Sequence, residues 1–316
     1  SLLCLIDCDN TSIVREASRV IANLLSSTEF QAEFLKERGL VSIIRISRSH
    51  DYECMRNVAL AIRKLAANKA SHGILFSQHG VEAIMHLADH EELQVRIQSA
   101  AALRDISSNA DFQLAIKDCG VVEIAIELTC QSEIELKILA MGILRHLSVA
   151  MNLKRELMDR AIINVLSECV MSSDCEALLF ECASFIANLA EHAQNKYSLV
   201  QSGILQLLVM LSKHDSVQVK RNSARAFALL SSTPRNYDEF VGSVLEVLID
   251  LLQCQDEETC RNISVAIVNI ATNNEISCII GNLGAIHPLV LLLKSPSCQK
   301  NSCHALSRLT TVEENK

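Results

Sequence analysis

A period of about 41 residues runs through the sequence from end to end. Eight helical patterns end in leucine or isoleucine at 24, 65, 106, 147, 189, 230, 270 and 309, so successive intervals are 41, 41, 41, 42, 41, 40 and 39 residues. A second marker keeps the same spacing, at Gly39, Gly80, Gly120, Ala161, Gly203, Ser243 and Gly284. A period of this length that contains only helical patterns predicts a solenoid, in which each repeat packs against its neighbours.

Each repeat predicts three helices. A short first helix, such as 111–118, ends at the periodic glycine, which we expect to adopt the left-handed conformation that follows many helices. A second helix follows directly, as at 204–211, and a polar loop leads to the longest helix, as at 263–271. Apolar residues of this third helix recur at i, i+3, i+4 and i+7, which predicts one buried stripe. Ala17, Ala140, Cys182 and Ser223 share one position on it, where a small side chain lets neighbouring helices approach closely.

Two segments resemble motifs of one known family. Residues 284–293, GAIHPLVLLL, are similar to the second-helix motif of armadillo repeats, and residues 183–190, ASFIANLA, are similar to the third-helix motif. The resemblance implies an all-α, right-handed superhelical solenoid of about seven to eight three-helix repeats, in a single domain over residues 1–316. The expected units are a partial repeat at 1–27, repeats at 28–68, 69–109, 110–150, 151–192, 193–233, 234–273 and 274–312, and a tail at 313–316.

Composition restricts the function classes. The chain has 29 basic and 37 acidic residues, a net charge of −8, whereas nucleic-acid-binding domains are normally strongly basic. Its 13 cysteines form no CxxC pair and many lie in apolar runs, which favours reduced thiols and a cytoplasmic location, with the nucleus as a second possibility. The N-terminus has neither a signal peptide nor an initiator methionine, so we expect a fragment of a longer chain. Glycines and Pro288 interrupt the uncharged run 276–293, which favours a helix–turn–helix over direct membrane insertion.

The resemblance also places the third helices along a concave groove that holds extended peptides. Import receptors of the importin-α type line this groove with tryptophans and asparagines. Here the asparagine position holds Asn23, Lys64, Asp105, His146, Asn188, Leu229, Asn269 and Arg308, and the chain has no tryptophan. Because the aromatic cage for a lysine side chain is absent, we do not expect an import receptor.

Basic residues replace that ladder. Arginine or lysine recurs eight residues before the asparagine position, and arginine stands one residue before it in three successive repeats. The predicted partner-binding residues are Arg15, Arg19, Arg56, Arg63, Lys64, Arg104, Arg145, His146, Asn188, Arg221, Arg225, Arg261 and Asn269. Acidic residues concentrate in the loops before the third helices, at Asp89, Glu91, Glu92, Glu133, Glu135, Asp174, Glu176 and Asp256 to Glu258, and we expect these loops to lie outside the groove.

The predicted ligand is therefore an extended protein segment that is acidic or phosphorylated, since guanidinium groups pair with carboxylates and phosphates. The resemblance to β-catenin-type adaptors, whose groove is also basic, favours the same ligand. At the N-terminal repeat, Leu2, Leu3, Leu5 and Ile6 have no polar cap, so we expect either that further residues cover them or that they form an interface with a partner.

Several alternatives stay open. The early arginines of the third helices are equally compatible with bridges to acids of the next repeat. Asn188 and Asn269 could bind a peptide backbone or only tie their own repeats together. Ile97, Ile138 and Phe180 interrupt the basic row, either as an apolar pocket or as core. The chain is also compatible with a regulatory module of a larger protein, which packs on another domain or senses a small anion. No phosphate-binding loop or nucleophile elbow occurs, and Cys298, Cys303 and His304 lack zinc-site spacing, so we expect no enzyme, cofactor or metal.

Overall fold

Helices joined by short turns make up the computed structural model, which describes residues 2–49, 51–158 and 160–315. These residues contain no β-strand, so the all-α prediction is confirmed. The chain divides into two compact units, Ser1–Ala150 and Met151–Lys316. Ser1 and Lys316, the ends of the predicted solenoid, lie outside the described residues. The single solenoid over 1–316, its repeat boundaries and its handedness stay predictions.

The first unit holds eleven α-helices within the part that is described, and short 3-10 segments at Lys69–Ser71 and Ala110–Phe112 precede α6 and α9. The helices are α1 (Leu2–Ile6), α2 (Thr11–Leu24), α3 (Thr28–Lys36), α4 (Gly39–Ile46), α5 (Tyr52–Ala66), α6 (His72–Ser77), α7 (Gly80–Ala88), α8 (Leu93–Ser107), α9 (Gln113–Asp118), α10 (Val121–Thr129) and α11 (Ile134–Leu147).

The long third helices of this unit pack side by side. Helix α5 packs against α2 and α8, and α8 also packs against α11. The last apolar residue of the period is buried at each of these helices after the first, at Leu65, Ile106 and Leu147. The residue four positions earlier is buried too, at Ala61, Ala102 and Ile143. The buried stripe that the sequence predicts is therefore the surface between neighbouring repeats.

The second unit repeats this arrangement. Helices α13, α16, α18 and α21 pack in series, and 3-10 segments lie at Pro234–Phe240 and Glu313–Asn315. The helices of this unit are α12 (Arg160–Met171), α13 (Glu176–Ala190), α14 (Asn195–Gln201), α15 (Ile204–Ser212), α16 (Val217–Leu230), α17 (Ser243–Leu252), α18 (Glu257–Ile270), α19 (Asn274–Asn282), α20 (Ile286–Leu292) and α21 (Pro296–Leu309).

One predicted first helix is not formed. Residues 151–157 are turns, with Leu153 and Leu157 buried against the interior. Some first helices begin after a side chain that accepts a hydrogen bond from the backbone, such as Ser27 or Asn273, whereas the same position of the period holds Ala150, which cannot supply that cap. Helix α14 also forms without a side-chain cap, so the absence of a cap at Ala150 does not by itself explain the irregular segment.

The periodic glycines have two different roles. Gly120, Gly203 and Gly284 have φ of +87°, +84° and +86°, as expected. The prediction is wrong for Gly39 and Gly80, because there the preceding residues Arg38 and His79 take the left-handed conformation and glycine is the first residue of the second helix. A Cβ at Gly80 would lie 2.9 Å from the carbonyl oxygen of Leu75, and one at Gly39 would overlap the ring of Phe34. Close packing therefore requires glycine at these two positions.

The uncharged run near the C-terminus forms two helices. Helices α19 and α20 meet at 85°, which confirms the predicted helix–turn–helix. No single helix in the described residues is long and apolar enough to cross a membrane, although this bent pair passes that test by length and composition.

Candidate partner-binding surface on the third helices

Three half-buried arginines lie in the last turns of α5, α8 and α11, one on each neighbouring helix. Arg63 Nη1 donates to Gln98 Oε1 at 2.8 Å, and Arg104 Nη2 lies 3.8 Å from Asp105 Oδ1. Arg145 Nη2 lies 2.9 Å from His146 Nε2. Because α8 packs against both α5 and α11, these arginines form a row across one face of the first unit. We call Arg63, Arg104 and Arg145 the arginine row.

The residues that follow the arginine row tie neighbouring repeats together. Lys64 Nζ donates to the carbonyl oxygen of Ala22 at 2.7 Å and to Ser26 Oγ at 2.8 Å. His146 Nδ1 lies 3.0 Å from the carbonyl oxygen of Arg104. In each case the partner lies at the end of the preceding third helix, where carbonyl groups lack helical partners.

The titratable residues beside the arginine row, Asp105 and His146, both have shifted pKa values. Burial raises the pKa of Asp105, although Arg104 and Arg63 oppose the shift. Burial and then the charge of Arg145 lower the pKa of His146 to about 4, so its imidazole is neutral at pH 7. We assign the proton to Nδ1, because Nδ1 faces a carbonyl oxygen while Nε2 accepts from Arg145. The surface is therefore cationic at the arginines, with one carboxylate at Asp105.

The arginines near the start of the third helices have carboxylate partners within the chain. Arg15 Nη2 lies 2.6 Å from Asp51 Oδ2, and Arg56 pairs with Glu92. In the second unit, Arg221 forms two hydrogen bonds from Nε to Asp256, at 2.9 and 3.0 Å, and one from Nη2 at 2.6 Å. Each acid belongs to the loop before the next third helix. We call these three pairs the inter-repeat clamps.

Two of the clamp acids also cap helices. Asp51 Oδ1 accepts from the backbone N–H of Cys54 at 2.8 Å, and Asp256 Oδ2 accepts from that of Thr259 at 2.9 Å. The hydrogen bonds from Arg15 and Arg221 are the main reason why the pKa values of Asp51 and Asp256 fall to about 2. The expectation that the acidic loops lie apart from the basic residues is wrong at these sites, because each third helix brings its first turn beneath the next loop.

The other predicted arginines are also in ion pairs. Arg225 Nη1 donates to Asn188 Oδ1 at 3.3 Å, and its Nη2 pairs with Glu191. Arg19 pairs with Glu16 on its own helix, and Arg261 lies 3.8 Å from Glu258.

The two predicted asparagines differ in their surroundings. Asn188 is buried beneath Arg225, whereas Asn269 Nδ2 donates to Ser231 Oγ at 3.1 Å and to the carbonyl oxygen of Ala228 at 3.4 Å. Asn269 therefore links α18 to α16 of the preceding repeat.

A further buried polar position, occupied by Gln113 in the third full repeat, is not among the residues predicted from the sequence. Gln113 Nε2 donates to the carbonyl oxygens of Ser107 at 3.1 Å and of His146 at 2.8 Å, so one amide links two successive third helices. Seven or eight residues after the asparagine position, the same place holds Gln31, His72, Gln113, Lys154, Asn195, Asn236, Ser277 and Asn315. Amide side chains occupy this position in five repeats, so an alignment of the sequence at the 41-residue period could have identified it.

The residues that interrupt the basic row are at least partly core. Ile97 is buried in a cluster with Ala100, Leu136 and Leu139, while Ile138 and Phe180 are half-buried. At the N-terminal repeat, Leu5 is exposed and Ile6 is buried.

The comparisons with known proteins agree with this architecture. The sequence model of the family described as Armadillo/beta-catenin-like repeat matches residues 192–232 and 233–272. A comparison with curated protein sequences gave no significant match.

Solved structures match over most of the chain. One engineered protein of the Northeast Structural Genomics Consortium has a TM-score of 0.87 and 25% identity, over 98% of this chain and 77% of that chain. Another has a TM-score of 0.67 and 24% identity, over 73% and 98%. A structure from work on a phosphorylation switch that controls the interaction between cadherin and beta-catenin has a TM-score of 0.80 and 16% identity, over 98% and 61%. Two successive repeats thus match the armadillo/beta-catenin-like repeat model, and the described residues have the helical fold of armadillo-like proteins.

Proposed function

We propose that this chain is a non-enzymatic protein-binding adaptor, which holds an extended acidic or phosphorylated segment of a partner across the arginine row. The observation that carries the proposal is the placement of Arg63, Arg104 and Arg145 on three adjacent helices. Arg63 contacts the neutral amide of Gln98, and Arg104 lies 3.8 Å from a carboxylate whose pKa is raised by burial. Both guanidinium groups are therefore better placed to meet an added anion than the clamp arginines, which already hold ionised carboxylates.

The spacing of the row suits an extended chain. Axes of packed helices lie about 8–10 Å apart, and an extended peptide advances about 3.3 Å per residue. One arginine therefore meets about every third ligand residue, and the row spans about six residues. Acidic or phosphorylated side chains at this interval would pair with successive guanidinium forks.

The structural neighbour from the cadherin and beta-catenin work supports this proposal by analogy, because that interaction is controlled by a phosphorylation switch. The proposal includes a cytoplasmic or nuclear location, which the cysteine-rich, CxxC-free composition supports. The clamp residues Arg15, Arg56 and Arg221 act in it as links between repeats.

The test is a selection from a library of twelve-residue peptides, followed by affinity measurement with fluorescent peptides. We expect acidic sequences to be selected, and phosphoserine in place of serine to strengthen their binding. Replacing all three row arginines by glutamine is expected to weaken binding at least tenfold, since each lost charge-assisted contact contributes about 0.5–1 kcal/mol at a partly exposed site.

The matched control neutralises three exposed cations of the same unit, Lys36, Arg38 and Arg48, which lie on or beside the first and second helices rather than a third helix. Both variants change the net charge equally, so nonspecific attraction would weaken equally in the two. Equal affinity of the row variant and the control variant would refute the proposal. Inorganic phosphate that raises the melting temperature, with no acidic peptide selected, would favour the small-anion sensor instead.

A further inference from the structure

Two cysteines of the second unit face each other across a loop. Cys254 follows the C-terminal end of α17, and Cys260 lies in the first turn of α18. Their Sγ atoms are 3.6 Å apart. Cys260 is fully buried, while Cys254 is half-buried, so a small reagent reaches the pair through Cys254.

The surroundings divide the two thiols into a nucleophile and a partner. The hydrogen bond with Cys260 lowers the pKa of Cys254 to about 6, and the nearby charge of Lys220 acts in the same direction against burial. Cys260 Sγ lies 3.3 Å from the carbonyl oxygen of Cys254 and 3.5 Å from that of Leu252, and the pKa of Cys260 is raised by its contact with Cys254 and by burial. A thiolate reacts with oxidants, whereas a neutral thiol does not.

Another close pair in the same unit lacks this access. Cys169 on α12 and Cys182 on α13 are both fully buried, and the hydrogen bond between them and burial raise the pKa of Cys182. The two cysteines are therefore close in both pairs, but of these four residues it is Cys254 that is partly exposed to solvent.

We propose that Cys254 and Cys260 form a peroxide-sensitive dithiol that closes to a disulfide. The Cys254 thiolate attacks one oxygen of hydrogen peroxide, the O–O bond breaks, and the leaving hydroxide takes up a proton to become water. The resulting Cys254 sulfenic acid is attacked by the sulfur of Cys260, so that an S–S bond forms, the S–O bond breaks, and hydroxide leaves with the Cys260 proton as a second water. Two thiols are oxidised and one peroxide is reduced to two waters.

The disulfide would act on an inter-repeat clamp. Asp256 lies within the loop between the two cysteines, caps α18 through Thr259 and holds Arg221. Bonded sulfur atoms are about 2.05 Å apart, so oxidation brings the two sulfur atoms, now 3.6 Å apart, about 1.5 Å closer and shifts the side chains at the two ends of this loop. We expect that movement to change the contact between Asp256 and Arg221, and hence the link between α16 and α18.

Peptide mapping tests the proposal on the whole chain. The protein is treated with hydrogen peroxide, free thiols are alkylated under denaturing conditions, and the products are digested with trypsin. Residues 236–261 contain no internal lysine or arginine, so both cysteines lie on one tryptic peptide, which carries no other cysteine. We expect this peptide to lose two hydrogens, to escape alkylation, and to recover both alkyl groups after dithiothreitol.

Internal controls make the result specific. Cys303 is exposed, and Cys169 and Cys182 are close but buried, so all three should be oxidised at least tenfold more slowly than Cys254. In a Cys260→Ser variant, Cys254 should accumulate as a sulfenic acid that dimedone traps, and this readout does not require the disulfide. Alkylation of both cysteines at the peroxide dose that oxidises Cys303, or a disulfide between Cys260 and Cys298, would overturn the proposal.

Discussion

Asn195→Ala tests the idea that a buried amide at this position, which five repeats contain, fastens one repeat to the preceding one. Asn195 is 3% exposed, and its Nδ2 donates to the carbonyl oxygens of Lys154 at 2.8 Å and of Leu189 at 3.2 Å. Alanine removes both donors and leaves two buried acceptors with reduced hydrogen bonding.

The expected loss follows from these two contacts. Each intramolecular hydrogen bond contributes about 0.5–1.5 kcal/mol net, and a buried group left without a partner costs more than the mean. We therefore expect Asn195→Ala to lower the free energy of unfolding by about 2–3 kcal/mol. Helix propensity does not offset the loss, because Asn195 is the first residue of α14 rather than an interior one.

The assay is urea unfolding followed by far-UV circular dichroism, together with native-state amide exchange. Exchange should quicken in the last turn of α13 and in α14, because the interactions of a repeat protein are with its nearest neighbours. Asn274→Ala is the matched control, since Asn274 is also the first residue of a first helix but is exposed. That control should change stability by less than about 0.5 kcal/mol. Equal free energies of unfolding for the two variants, at unchanged denaturant slope, would refute the reasoning.

Three further perturbations probe the charged surface and the glycines. Asp105→Asn removes a carboxylate whose pKa is raised by burial. Ionisation of such a group destabilises the fold as the pH rises through the folded-state pKa, so the variant should have a higher melting temperature than the parent at pH 7 and a similar one at pH 3. The variant should also bind acidic peptides more tightly, because one negative charge beside the arginine row is gone. Gly80→Ala should lower the free energy of unfolding, measured in urea, by about 1–3 kcal/mol, because the added Cβ would crowd Leu75. Gly203→Ala should lower it by about 1–2 kcal/mol because of the positive φ of +84° alone. Asparagine tolerates this backbone conformation, so it should restore stability at Gly203 but not at Gly80. The hydrogen bond from Arg221 is the main reason why the pKa of Asp256 is about 2, so the ionised carboxylate stabilises the fold above pH 3.8 and this contribution is lost as the pH falls towards 2. Between pH 5 and pH 2.5, the urea midpoint of Asp256→Asn should therefore fall less than that of the parent.

The helices were predictable because burial repeats with the sequence period. Leu65, Ile106 and Leu147 all occupy one position, and each is buried against its neighbours. A core built from equivalent contacts leaves the same apolar pattern in every repeat, so the sequence alone indicates where the third helices end. The irregular segment 151–157 is an exception, because Leu153 and Leu157 are buried although the backbone forms turns, so the apolar pattern alone does not reveal it.

The partners of the charged residues were less accessible to sequence reasoning. An arginine on a helix face has several carboxylates within reach of its long side chain, and only the packing of two repeats decides among them. Arg15 and Asp51 are 36 residues apart, as are Arg56 and Glu92, and Arg221 and Asp256 are 35 apart. An arginine and an acidic residue separated by slightly less than one period therefore indicate a clamp. This separation can be interpreted only once the stacking of the helices is known.

Position along the third helix therefore separates the two kinds of arginine. A first-turn arginine lies beneath the acidic loop that caps the next third helix, and its charge is used to join repeats. Carboxylates occur at the start of each third helix because the N-terminus of a helix favours negative charge. The last turn of a helix favours cations, and its unpaired backbone groups are carbonyl oxygens. Arg63 and Arg104 lie at that C-terminal end, where the dipole stabilises each cation by about 0.3–1 kcal/mol without occupying its guanidinium fork. The same helices can thus carry arginine–carboxylate clamps near their starts and, beside the ties of Lys64 and His146, a ligand-binding row in their last turns. Substitutions at the clamps should therefore affect mainly stability, and substitutions at the row mainly binding.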